Sequence, residues 1–184
     1  MKKLKAVILA AFLTAVAFPF IPMTYTLEVG DFPPEDTYTS KYNRFILNLA
    51  DSNDTVLINI DSMGGRVLPA LKLMNTIARC EARTISNNTN LAVSAGAFVA
   101  MTTDAMMASE HSSYLFHKPY YVNEKGERVT VADDQLLASS LQRLMETRVF
   151  QYFTEKERQA YSEGKDVIIN GPELIKRIRN GTAN

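Results

Sequence analysis

The chain has one cysteine, Cys80, which excludes an intramolecular disulfide framework, and no Cys/His spacing suggests a metal site. It has no excess of either charge. Lys plus Arg and Asp plus Glu both number 20, so no net field points to nucleic acid or to acidic partners. It has no low-complexity tract and no internal repeat, and no cofactor-binding motif stands out. Histidine is scarce: only His111 and His117 are present, so imidazole chemistry has two places to be. What is there is ordinary for a globular protein. The 184 residues are 46% apolar and 22% charged, enough for one domain with a proper core and too few for two comfortable ones.

The N-terminus reads differently from the rest. Lys2, Lys3 and Lys5 precede an uncharged, largely apolar run from Ala6 to Leu27, the layout of a secretory signal. Ala15-Val16-Ala17 supplies a small-x-small cleavage site. The run is also long enough for an uncleaved membrane anchor, although Pro19 and Pro22 shorten its helical part. Residues 1–23 are therefore expected to be a signal peptide or membrane anchor and 24–184 the folded domain. The expected location is a bacterial-type periplasm or inner membrane, with the cytoplasm as second choice.

Within the domain, Thr24–Val29 alternates as a strand, and Tyr42–Ala50 has helical spacing. Thr55–Ile60 is a β-branched run ending in Asp61-Ser62-Met63-Gly64-Gly65, a buried strand entering a tight turn. Val67–Ala78 reads as a helix with Pro69 in its first turn, and Ala82–Ile85 as a short strand. Ala92–Met107, small and apolar all round, predicts a buried helix. Ser112–His117 predicts another strand, and Asn123-Glu124-Lys125-Gly126 a hairpin turn. Thr130–Gly164 predicts a long amphipathic helix with Leu137, Leu141, Leu144, Met145 and Val149 along one stripe, broken near Phe153. This alternation predicts an α/β domain with a largely parallel sheet.

Three segments join small residues to a reactive group. Gly64-Gly65 lets backbone amides approach an anionic oxygen closely, or else is a plain tight turn; it lacks the Lys-Ser/Thr of a phosphate-binding loop. Ala92-Val93-Ser94-Ala95-Gly96-Ala97 places a hydroxyl among small residues at a helix start, where it serves as a nucleophile or merely as a cap. His117 follows at an interval that suits one helix and a returning strand, which brings it back beside Ser94. His111, at the opposite end of that strand, is the weaker candidate. Asp166, just before Val167-Ile168-Ile169, can orient His117 or be a solvated loop carboxylate. Asp133 and Asp134 at the long helix's N-terminus are explained by capping.

Together these segments resemble one family. Ile58-Asn59-Ile60-Asp61-Ser62-Met63-Gly64-Gly65 is similar to the Ile-Asn-Ser-Pro-Gly-Gly stretch of Clp protease proteolytic subunits. Val93-Ser94-Ala95-Gly96-Ala97-Phe98 is similar to their nucleophile turn, Ser112–Pro119 to the strand carrying their base, and Asp166–Leu174 to the segment around their triad acid. The order of the four agrees. Met63 stands where proline is usual, Ala95 where methionine is common, and Lys118 where glutamine follows the histidine.

The resemblance implies repeated β-β-α units and a long helix after the base-bearing strand. It implies a serine endopeptidase with Ser94 as nucleophile, His117 as base and Asp166 as orienter. Gly65 and Ala95 amides would bind the oxyanion, and Gly64, Arg66 and Val67 the peptide. No cofactor or metal is implied. The implied partners are a peptide or unfolded protein, further copies in a homo-oligomeric ring, and an ATP-dependent unfoldase only in the cytosol; no nucleic acid is expected. Two alternatives remain open at this point: a membrane-associated protease resembling signal-peptide peptidases, with a Ser–Lys dyad using Lys118, and a crotonase-like acyl-thioester binder.

Overall fold

The computed structural model describes residues 21–130 and 136–181. The leader expected at 1–23 lies outside these residues up to position 20, as do Asp133 and Asp134. Among the described residues no helix is long and apolar enough to cross a membrane.

Strand β1 (Thr24–Val29) is followed by helix α1 (Tyr38–Leu49), β2 (Thr55–Ser62), α2 (Val67–Ile77) and β3 (Arg83–Val93). These three strands pair in parallel, in chain order. The short helix α3 (Ala95–Ala100) leads to β4 (Ala105–Ala108) and β5 (Ser113–Phe116). Both share one edge of β3: Ile85–Asn88 pairs with β4, and Leu91–Val93 pairs with β5. A hairpin of β6 (Tyr120–Val122) and β7 (Arg128–Thr130) then stands off as a separate two-stranded ribbon. Helix α4 (Leu136–Leu144) runs on through a π turn and a 3-10 turn to Tyr152, and α5 (Glu155–Ser162) returns the chain to β8 (Val167–Asn170). Strand β8 pairs antiparallel with β5, and α6 (Gly171–Asn180) closes the fold. The architecture is the largely parallel α/β sheet that the alternation predicts.

The differences have physical reasons. Small apolar composition does not separate a buried helix from a buried strand, and the helix expected over Ala92–Met107 shrinks to Ala95–Ala100. Ala92 and Val93 finish β3. Thr103 Oγ1 donates to the carbonyls of Ala100 and Ala105, and Asp104 accepts from Thr84 N and Oγ1 at 2.8 Å, which turns the chain into β4. The strand expected to end at Ile85 runs to Val93, and two buried polar side chains along it donate across the fold. Ser86 Oγ donates to Ala100 O at 3.3 Å, and Asn88 Nδ2 to Ser113 O at 3.0 Å. Thr130 belongs to β7, opposite Tyr120, so the long helix starts later than expected. Its break at Phe153 is as predicted, with Thr154 and Glu157 forming a capping box for α5.

The core lies where α2, α3 and α4 meet the inner face of the sheet. Ile58 and Ile60 of β2, Phe98 of α3, Phe116 of β5, Met145 and Phe153 are almost wholly buried. Phe116 is central: its ring meets Phe98 edge-on at 5.9 Å and Phe153 at 5.3 Å, and stacks with Tyr114 at 6.4 Å. Phe116 also ends the strand that leads to His117, so its packing fixes where that histidine begins. Phe116→Ala is expected to cost about 3–5 kcal/mol of stability, read as a lowered urea midpoint.

Candidate active site

The end of β2 and the turn after β3 are pressed together. A Cβ on Gly64 would stand 2.8 Å from Val93 O and 2.9 Å from Ser94 Cβ, so only glycine fits there, and its φ of 93° favours glycine independently. The turn is held from below. Asp31 Oδ1 accepts from Met63 N at 2.6 Å and from Ser62 Oγ at 3.4 Å, while Ser62 Oγ accepts from Gly64 N at 3.0 Å. Phe32 bridges the glycine pair, its N–H donating to Gly64 O at 2.8 Å and its carbonyl accepting from Arg66 N at 2.7 Å. A trans peptide points its C=O and N–H in opposite directions. With Gly64 C=O aimed at Phe32, the Gly65 N–H points away from Phe32.

Ser94 is the one non-glycine residue with positive φ among the described residues, at φ 52° and ψ −116°. That conformation costs on the order of 1–3 kcal/mol and survives only where the surroundings impose it. Here they do. Ser94 N donates to Leu115 O at 2.8 Å, Ser94 O accepts from Phe98 N at 3.2 Å, and Gly64 packs beneath. Ser94 makes no side-chain cap bond to α3, so the capping explanation of this serine fails. Ala95 N is at the first position of α3, where a helix leaves its amides without an intrahelical acceptor.

Ser94 and His117 line one cavity, together with Val67, Ala70, Met74, Ala95, Phe98, Pro119 and Leu141. Strand β5 delivers the histidine: Leu115 is bonded to Ser94 N, and His117 lies two residues on. His117 Nδ1 is 2.8 Å from Lys118 O. A carbonyl only accepts, so Nδ1 carries hydrogen, and in the neutral ring Nε2 is the nitrogen with the lone pair. The His117 ring rests against Tyr120 at 5.0 Å. The cavity itself, at about 10 Å³, admits one water and no side chain.

Asp166 comes near by register. Phe116 pairs with Val167 at the end of the β5–β8 ladder, so His117 and Asp166 are the next residues beyond that end. The Asp166 carboxylate, however, meets Arg128 Nη1 at 3.5 Å, and no described hydrogen bond joins it to His117. The structure thus brings Ser94 and His117 together and sets Asp166 beside them with its charge turned to the hairpin.

The other candidates separate cleanly. Lys118 lines a different hollow of about 530 Å³, with Gln142, Phe150 and Arg158, while its neighbours His117 and Pro119 line the Ser94 cavity. No described lysine lines the cavity that holds Ser94, which removes support from the Ser–Lys dyad. Val67 lines that cavity, whereas Arg66 faces a separate hollow with Asp36, Leu68 and Lys72. Cys80 sits in the α2–β3 connection, where burial foremost pushes its thiol up, away from thiolate chemistry. Among the described residues no cluster of His, Cys, Asp or Glu is placed to hold a metal ion. Sequence reasoning missed Asp31, Phe32, Tyr120 and Arg128. Of these only Asp31 carried a local signal, an acidic residue directly after Gly30 in the loop that follows β1.

The fold has solved relatives. It is similar to the 1510-N membrane-bound stomatin-specific protease in a serine-to-alanine mutant, with a TM-score of 0.66 and 12% identity over 84% of this chain and 76% of that one. A lysine-to-alanine mutant of the same protease in complex with a substrate peptide gives 0.64 and 13% over 86% and 73%. An asparagine-to-aspartate mutant of ClpP1 from Listeria monocytogenes gives 0.62 and 18% over 83% and 85%. No curated protein sequence matches the chain. The family model of Clp protease matches residues 35–167, a span that contains the glycine pair, Ser94, His117 and Asp166, and the chain therefore belongs to the Clp protease family and is a serine-type peptidase.

Proposed function

We propose that this chain is a serine endopeptidase that cleaves peptide or unfolded protein substrates with Ser94 as nucleophile, His117 as base and Asp166 as the acid behind it. The observation that carries this reading is the strained Ser94 turn opening into the same cavity as His117, whose Nε2 is the nitrogen free to take a proton. His117 Nε2 accepts the Ser94 hydroxyl proton as Oγ bonds to the substrate carbonyl carbon. The proton then passes to the leaving amine as the C–N bond breaks, and water releases the acyl group by the same route. The amides of Gly65 and Ala95 bind the oxyanion, where loss of one donor typically costs about 3 kcal/mol of transition-state stabilisation. Extended peptide adds beside Gly64, Arg66 and Val67 by main-chain pairing. The walls of Met74, Phe98 and Leu141 favour an apolar side chain next to the scissile bond, and admitting it requires Met74 or Leu141 to move aside.

The substrate peptide bound by the stomatin-specific protease supports a peptide ligand here. Assembly into a homo-oligomeric ring is part of the proposal, as is export or anchoring through residues 1–23. At such a location an ATP-driven unfoldase has no fuel, so that partner belongs only to a cytosolic form.

Fluorophosphonate labelling of the purified protein tests the mechanism. Labelling is expected to vanish in Ser94→Ala and His117→Ala and to slow in Asp166→Ala; a folded, assembled wild type that resists labelling would overturn the peptidase reading. The strain at Ser94 gives a second test. Ser94→Gly is expected to be more stable than Ser94→Ala by about 1 kcal/mol in denaturant titration, because both lack the hydroxyl and only glycine accepts this φ without cost.

A further inference from the structure

We propose that Arg128 is a positioning residue that competes with His117 for the Asp166 carboxylate, and so sets how many molecules carry a closed triad. The inference rests on the triad reading above. Its starting point is a continuous line of contacts. The His117 ring lies 5.0 Å from the Tyr120 ring, the Arg128 guanidinium stands 4.6 Å over the other end of that contact on Tyr120, and Arg128 Nη1 reaches Asp166 Oδ2 at 3.5 Å. Hairpin register fixes this line. Tyr120 pairs with Thr130 and Val122 with Arg128, so Arg128 is the diagonal neighbour of Tyr120 on the same face, within reach of a long side chain. The hairpin therefore delivers a cation to the place where an anion is needed.

The Arg128–Asp166 pair is one that can be displaced. Asp166 and Arg128 side chains are 40% and 61% exposed, and such a pair is weak and screened by salt. On the other side, His117 Nδ1 already has an acceptor in Lys118 O. That carbonyl secures the tautomer needed for attack but brings no full charge to the imidazolium that forms after it. His117 and Asp166 are the residues just beyond the last β5–β8 pair, and exchanging Arg128 for His117 also takes Nδ1 off the Lys118 carbonyl. While Arg128 holds Asp166, Ser94 is activated by a correctly protonated imidazole without its carboxylate. When Arg128 lets go, the acid is available.

The test is the rate of fluorophosphonate labelling at Ser94, measured on the full chain at low and high salt. Wild type is expected to label faster as salt rises. Arg128→Gln is expected to label about two- to fivefold faster than wild type at low salt, the range over which an exposed ion pair shifts an equilibrium, and to lose the salt dependence. Arg128→Lys is expected to keep the salt dependence, and Arg128→Gln added to Asp166→Asn to have no further effect. A purely structural role for Arg128 would move neither the salt response nor its dependence on Asp166. If wild type labels but Arg128→Gln is equal or slower at low salt, the inference falls and the triad reading stands. If wild type shows no Ser94-dependent labelling, the triad reading falls and takes this inference with it.

Discussion

The rest of the site depends on one contact: the backbone at Gly64 passes directly beneath the turn that carries Ser94. A single methyl group there would meet both the Val93 carbonyl and the Ser94 side chain. The contact does three things together. It holds Ser94 in a conformation that an L-residue otherwise avoids, and it sets Gly64 against the Ala95 amide, which a Cβ at Gly64 would meet at 3.4 Å. It also ties β2 to the loop after β3, so that the sheet and the turn cannot shift independently.

That contact needs its own support, which explains a departure from the family pattern. Where proline is usual before the glycine pair, this chain has Met63, and its amide donates to Asp31 Oδ1 at 2.6 Å. Proline has no such hydrogen to give. Asp31 further receives Ser62 Oγ, whose oxygen takes the Gly64 amide. A rigid ring has been exchanged for a hydrogen-bonded carboxylate, and the turn is pinned from the β1 side as well as by its own sequence. Phe32, next to Asp31, completes the anchorage by bonding on both sides of Gly65.

How much of this was legible in the sequence follows the range of the interactions. The strand at Thr24–Val29, the helix after Gly65 and the break at Phe153 are local signals, and the structure has them. Ser94, among small residues at an expected helix start, and His117, closing a strand, were weak signals singly and readable because four segments in order resemble one family. The long strand through Ser86-Asn87-Asn88-Thr89 was hidden, because buried polar residues look like a loop until their partners across the sheet are known. Asp166 was readable as a position and not as a contact. Its place just beyond the β5–β8 ladder, like that of His117, follows from the register, but nothing in the segment around it announces a guanidinium from a hairpin 38 residues upstream.

In the proposed triad the two roles commonly given to the acid are separable. One is to fix the histidine's tautomer, and the other is to stabilise the charge that appears when the serine proton is taken. The Lys118 carbonyl already performs the first, since Nδ1 facing a carbonyl must carry hydrogen. It performs the second poorly, because a neutral dipole stabilises a cation less than an ion does. In the proposed mechanism Lys118 O sets which nitrogen of the neutral His117 ring accepts the proton, and Asp166 supplies the carboxylate separately. Selective loss of Asp166 should therefore slow Ser94 without disordering the site, whereas loss of Gly64 would remove the geometry on which both residues act.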